Sequence, residues 1–167
     1  MLTLPQILVS VLVVDVIVIF LVRFMPHIFG KPINEWYDRF GLSAVIADVL
    51  VIVLGILIAQ YILQYFRIKE TLPVLLPLVV AIQLVHDLLF HFFIIQPIPK
   101  GHNAMIDVFK TYTAGGGATI LAADAAMIAG SVLLATGLQA VHPVVTAFTG
   151  ILAAYTLPYI LTTRSGY

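Results

Sequence analysis

Five apolar runs, at residues 7–24, 42–66, 72–95, 114–138 and 144–161, leave this chain little freedom in what it can become. Each falls in the range of about 17–25 residues with which a helix crosses roughly 30 Å of hydrocarbon. Of the 167 residues, 62% are apolar and 10% charged, whereas a soluble domain has about 25% charged residues. The expected fold is all-α: a polytopic membrane protein, a bundle of five transmembrane helices in one domain, with the lipid bilayer as its first partner. Eight basic and eight acidic side chains cancel, so no positive field marks a nucleic-acid partner. The absence of cysteine removes disulfides, thiolate ligands and a thiol nucleophile.

The first run has no basic segment before it and carries Asp15 at its middle, so it reads as a retained span rather than a cleaved signal. With the N-terminus outside, the inner segments hold Arg23, Lys31, Arg39, Lys100, Lys110 and Arg164, and the outer ones hold Arg67 and Lys69. Because cytoplasmic loops are enriched in Lys and Arg, this bias predicts an N-out, C-in integral membrane protein. Between the first two spans, Ile33, Trp36, Tyr37 and Phe40 recur at helical spacing opposite Asn34, Glu35, Asp38 and Arg39. That pattern predicts a short interfacial helix stopped by Gly41. A second interfacial helix is expected from an Asn103 N-cap, with Met105, Ile106, Phe109 and Tyr112 on its apolar face. Pro77 and Pro158 lie deep enough in their spans to predict kinks.

Asp15, Asp48, Asp87 and Asp124 each sit in a different span. A carboxylate at a helix centre costs about 2.5–3.5 kcal/mol of insertion energy, and each Leu, Ile, Val or Phe returns about 0.3–0.6. The fourth span has only seven such residues, so its insertion barely offsets Asp124 and must lean on other helices. Ala114, Ala118, Ala122, Ala126 and Gly130 form a ridge of small residues on the face opposite Asp124, which predicts close approach of a neighbouring backbone and makes this span the expected centre of the bundle. Gly115, Gly116 and Gly117 would form its flexible or tightly packed entry.

Three readings use these polar residues. In the first, buried Asp and His hydrogen-bond across helices, to groups such as Ser43, Gln83, Thr119 or Ser131, and fix their packing. In the second they are a proton or cation relay in a small channel or transporter, made of Asp15, Asp48, Asp87, His91 and Asp124, with His86, Asp107 and Lys110 as secondary members. In the third, Asp87 and His91, four apart on one helical face, begin an intramembrane metal site. No nucleotide loop, potassium-filter sequence, Gly-x-Ser-x-Gly elbow or HExxH pair occurs, so the sequence leans against an enzyme without deciding it, and no cofactor is expected. His27, His102 and His142 fall in loops, where no special role is needed.

Two stretches carry a resemblance. They are residues 34–48, from Asn34 through Trp36-Tyr37-Asp38-Arg39-Phe40-Gly41 to Asp48, and the pair His86-Asp87-Leu88-Leu89-Phe90-His91 and Gly101-His102-Asn103 to Tyr112. Together they resemble uncharacterised multi-span membrane proteins of large nucleocytoplasmic DNA viruses, over residues 36–127. Asp48, Asp87, Asp107 and Asp124 match that group, whereas Ala114, Gly115 and Ala125 stand where it has polar residues. The resemblance implies a structural or assembly role in a virion inner membrane or a host membrane. The partners it implies are further copies of the chain or other viral membrane and capsid proteins. It implies no catalytic residues.

Overall fold

The computed structural model describes residues 1–25 and 31–163, with the backbone alone at 31, 32 and 115–119. Among these the chain is helical, with no strand. The helices are α1 (Leu4–Phe24), α2 (Lys31–Phe40), α3 (Leu42–Tyr65), α4 (Leu72–Phe90), α5 (Ala104–Leu138) and α6 (Pro143–Thr162); a π-helical turn at His91–Ile95 extends α4. Five stretches are long and apolar enough to cross a membrane: Leu4–Phe24, Leu42–Tyr65, Leu72–Ile95, Ile120–Leu138 and Pro143–Thr162. His27 and Arg164 lie outside the described residues, as do the side chains of Lys31, Ala118 and Thr119.

Local signals place the helix ends. Pro73 occupies the first turn of α4, where a missing N–H costs nothing. Asn103 caps α5, its Oδ1 accepting from the Met105 and Ile106 amides at 2.9 and 3.2 Å. Gly41 separates α2 from α3 with φ +49°, a conformation that favours glycine. Pro77 and Pro158 stand inside α4 and α6, which continue through them.

The expected second interfacial helix begins at its cap but never ends as a separate element. It runs through Gly115–Gly117 into the fourth span, making α5 35 residues long. At 1.5 Å per residue that is about 50 Å, more than the hydrocarbon requires, so its first turns project beyond the span.

The packing reverses the expected face of α5, though not its place in the bundle: α5 contacts α1, α2, α3 and α4, and α1 likewise contacts α2, α3, α5 and α6. The buried stripe of α1, Ile7, Ser10, Val11, Asp15, Ile19, Val22 and Arg23, includes positions from end to end of the helix. On α5 the buried side is Ile128, Ser131, Val132 and Ala135, the stripe that Asp124 shares. On the opposite ridge Ala114, Ala122 and Ala126 are exposed, while Gly130 lies against α1, where a Cβ would stand 3.9 Å from Val14 Cγ2. The large residues of α5 that favour burial lie on the carboxylate's side, and they decide which face turns in.

α6 packs on α1 through a close approach at Gly150. A Cβ there would stand 2.8 Å from Val9 Cγ2, a stiff β-branched side chain. Gly150→Ala is therefore expected to destabilise the bundle by about 1–3 kcal/mol. Gly137→Ala, where a Cβ meets nothing within 4 Å, should instead gain up to about 1 kcal/mol of helix propensity. Unfolding in mixed detergent micelles reads both signs, and equal effects would overturn the assignment of Gly150 as a packing contact.

Two apolar clusters fill the bundle. One joins Ile7, Val11, Ile56, Val79, Ile128 and Val132 toward the N-terminal end of α1. The other joins Ile19, Val22, Trp36, Tyr37, Val45 and Val108 toward α2. The aspartates of the spans fall between them.

Candidate functional site

Asp15 lies on α1 between Val11 of one cluster and Ile19 of the other, and it is 0% exposed. Among the described residues neither of its carboxyl oxygens has a hydrogen-bond partner. Every backbone amide near the middle of a helix is already used by its own ladder, so none is free to turn toward it. Asp48 is the other acid within electrostatic reach of Asp15.

Asp48 is held differently. Gly41 breaks the chain so that α2 folds across the start of α3, and two α2 side chains reach the same oxygen. Trp36 Nε1 donates to Asp48 Oδ2 at 3.1 Å, and the Tyr37 hydroxyl donates to it at 3.0 Å. The Trp36 ring is fixed in turn by Phe40 and by Phe109 of α5, at centroid distances of 5.1 and 4.8 Å. Asp48 also lies within electrostatic reach of Asp124, which senses Asp87 as well.

At Asp87 the layer meets the surface. Its Oδ1 accepts from Gln83 Nε2 at 2.8 Å and lies 3.1 Å from His86 Nδ1, while Oδ2 is buried without a partner. The Asp87 side chain is 16% exposed and His86 45%. Of the four span aspartates Asp15 is fully buried, while Asp48, Asp87 and Asp124 are each partly buried.

Two tyrosines border this series from outside the spans. Burial is the main cause that pushes the Tyr37 phenol well above its ordinary value, with the Asp48 and Asp15 carboxylates adding to it. Tyr112 is pushed up to about 12, again by burial first and then by Asp124 and Asp48. Both remain neutral hydroxyls at physiological pH, able to donate and accept.

Other expected members stand apart. His91 faces Gln96, with 3.2 Å between His91 Nε2 and Gln96 Nε2, and Asp87 takes His86 as its partner, so the expected Asp87–His91 pair is not formed. Asp107 accepts from the Gly101 amide at 3.1 and 3.0 Å and closes the loop before α5. Lys110 Nζ donates to the Gln96 carbonyl at 3.2 Å. Both are tied to the turn after the third span, away from the acidic layer. Among the described residues no three His, Cys, Asp or Glu side chains are grouped to hold a metal ion, which leaves the metal reading without a ligand set. Ser131 donates to the Met127 carbonyl of its own helix at 2.8 Å rather than across to a carboxylate.

Arg23 is a buried centre that orientation counting alone does not reveal. Its side chain is 0% exposed and pairs with Asp38. Nη1 also donates to Asn34 Oδ1 at 3.2 Å, and Nη2 to the Leu161 carbonyl at 3.2 Å. Asn34, expected on the polar face of α2, turns inward to this guanidinium and donates to the Val22 carbonyl at 3.2 Å.

A helical bundle with five apolar spans and acids between its apolar clusters is an integral membrane protein of the polytopic α-helical class. The chain matches no protein-family model, no curated protein and no solved structure.

Proposed function

We propose that this membrane protein binds and moves protons through the acidic layer between its two apolar clusters. Asp15 carries the reading. An ionised carboxylate buried without hydrogen-bond partners costs several kcal/mol, whereas the neutral acid is better tolerated there. A carboxyl that needs its proton to remain buried, with further acids in reach to exchange it, is the material of an intramembrane relay. Asp87 and His86, partly exposed on α4, are the end at which that relay would open. Toward the N-terminal end of α1 the Ile7, Val11, Ile56 cluster closes the layer, so transit in that direction requires the apolar cluster to part. The excess of Lys and Arg toward the α2 end supports a cytoplasmic position for that end.

The test is reconstitution in liposomes containing a pH-sensitive dye, under a pH gradient and a potential. The wild type is expected to give a proton flux that Asp15→Asn and Asp124→Asn remove. Flux no greater than in protein-free liposomes overturns the reading.

A second reading follows from the resemblance over residues 34–48, the segment that folds α2 onto Asp48 and Arg23. On that reading the chain is a structural or assembly component of a viral membrane, with α2 as a rigid cytoplasmic face. Immunogold labelling of infected cells tests it: label is expected on virion or assembling membranes, and label confined to other host membranes overturns it.

A further inference from the structure

We infer that Gln60 and Glu70 form a binding site for a peptide main chain, that residues 1–3 fill it, and that this segment is the latch of the apolar closure at the α1 N-terminal end. The site stands on its own geometry; the gating of protons by the latch rests on the proton-handling reading above.

The segment before α1 is held through its main chain. The Leu2 amide donates to Glu70 Oε1 at 2.7 Å, and the Leu2 carbonyl accepts from Gln60 Nε2 at 3.0 Å. The same Gln60 nitrogen donates to Glu70 Oε2 at 3.0 Å, so three hydrogen bonds join one peptide residue and two side chains in a closed ring. On either side of Leu2, Gln139 Nε2 donates to the Met1 carbonyl at 3.4 Å and the Thr3 amide donates to Gln6 Oε1 at 2.9 Å. Main-chain bonds give a peptide site its affinity, and a pocket for the side chain gives it selectivity. Both parts are present, because the Leu2 side chain is buried in the cluster of Ile7, Val11 and Ile56.

The end of α3 builds the site. Arg67 takes a left-handed φ of +55°, and the Ile68 amide returns to the Leu63 carbonyl at 2.8 Å. This is the pairing with which a helix ends in a tight reversal, and it brings Glu70 back beside Gln60.

Polar side chains are a costly means of closing a bundle. Gln60 is buried, and the Glu70 side chain is 8% exposed. Apolar residues in their place would need no partners, whereas these two do. What the polar ring adds is release, since water competes for each of its bonds. A partly open cavity of about 240 Å³, lined by Gln60, Gln64, Lys69 and Glu70 among others, adjoins the ring and gives solvent access to it when the segment lifts. Lifting withdraws Leu2 from the apolar cluster that stands between Asp15 and this end of the bundle.

The test uses the whole chain with a nitroxide label at Thr3→Cys. Thr3 is exposed and the sequence has no native cysteine, so one label reports on the segment. In proteoliposomes its spectrum is read together with the proton flux. The otherwise wild-type chain is expected to hold the label immobile. Glu70→Ala and the volume-keeping Gln60→Leu, which remove bonds of the ring, should each mobilise it and raise the flux by about tenfold, the scale of one lost hydrogen bond to a charged group. Glu70→Gln, which keeps an acceptor for the Leu2 amide, should stay within about threefold of the parent. Lys69→Ala, on the same cavity wall but outside the ring, should change neither readout. A label already mobile in the parent, or immobile in both Glu70→Ala and Gln60→Leu, overturns the site. A mobilised label with the flux of a conducting parent unchanged overturns the latch. If neither parent nor variants conduct above protein-free liposomes, the proton-handling reading fails and the latch with it, while the label still decides the site.

Discussion

Asp15→Val is expected to give a protein more stable than the wild type that no longer handles protons. The position is fully buried, its neighbours along the stripe are Val11 and Ile19, and neither carboxyl oxygen is hydrogen-bonded. Replacing a buried, uncompensated polar group with an apolar one of nearby size removes a desolvation cost and loses no bond. Burying such a group without a hydrogen bond costs about 1–3 kcal/mol, and that is the expected gain. Asp48→Val should do the opposite. It leaves the Trp36 indole and the Tyr37 hydroxyl without an acceptor in the interior, and each buried orphan costs about 1–3 kcal/mol. Two substitutions of the same residue type, in neighbouring helices, thus carry opposite signs. Unfolding in detergent measures both. A destabilised Asp15→Val would mean that the carboxyl holds the helices together, and that no stability is traded for function at this position.

The spans were legible because they depend on hydrophobic length alone. All five expected runs reappear as helices, and Asn103 and Gly41 mark their boundaries by local chemistry. The acids were legible as unusual residues, since an aspartate among valines and isoleucines stands out in any order. Which groups answer them was not. Asp87 has His86 and His91 at one and four positions' distance, and helical periodicity favours His91; the side-chain rotamers and the π-helical turn select His86 instead. Of the small-residue ridge of α5, Gly130 meets a neighbour, Val14 of α1, while Ala114, Ala122 and Ala126 face outward. Small residues permit close approach but do not compel it, and the burial of Ile128, Val132 and Ala135 decides which face turns inward. Tyr37 and Trp36 looked like interfacial anchors because their sequence neighbours are polar. The signal that places them beside Asp48 is Gly41, which lets a short helix fold back over the base of the next.

Arg23→Ala is expected to cost about 2–3 kcal/mol and to free α2 from the bundle. The guanidinium reaches three acceptors on two other helices: Asp38 and Asn34 of α2, and the Leu161 carbonyl of α6. Hydrogen bonds to a charged group are worth about 1.5–3 kcal/mol. Breaking a fully buried pair would exceed that, but the Asp38 side chain is 55% exposed and water takes over part of its charge. The same exposure predicts that Asp38→Asn costs less than about 1 kcal/mol. Arg23→Lys should resemble Ala more than Arg, because one ammonium cannot match a planar fork to three separated acceptors. Trp36 is the only tryptophan in the sequence, so its fluorescence reports on α2 without interference. Its emission should shift to the red in Arg23→Ala, as the indole leaves Asp48 and Phe109 for water, and stay in place in Asp38→Asn. An unshifted Arg23→Ala with unchanged stability would show that α2 is held by its aromatic contacts alone. A shifted one would place Arg23 above Asp38 in the hierarchy of contacts that keep Tyr37 over the acidic layer.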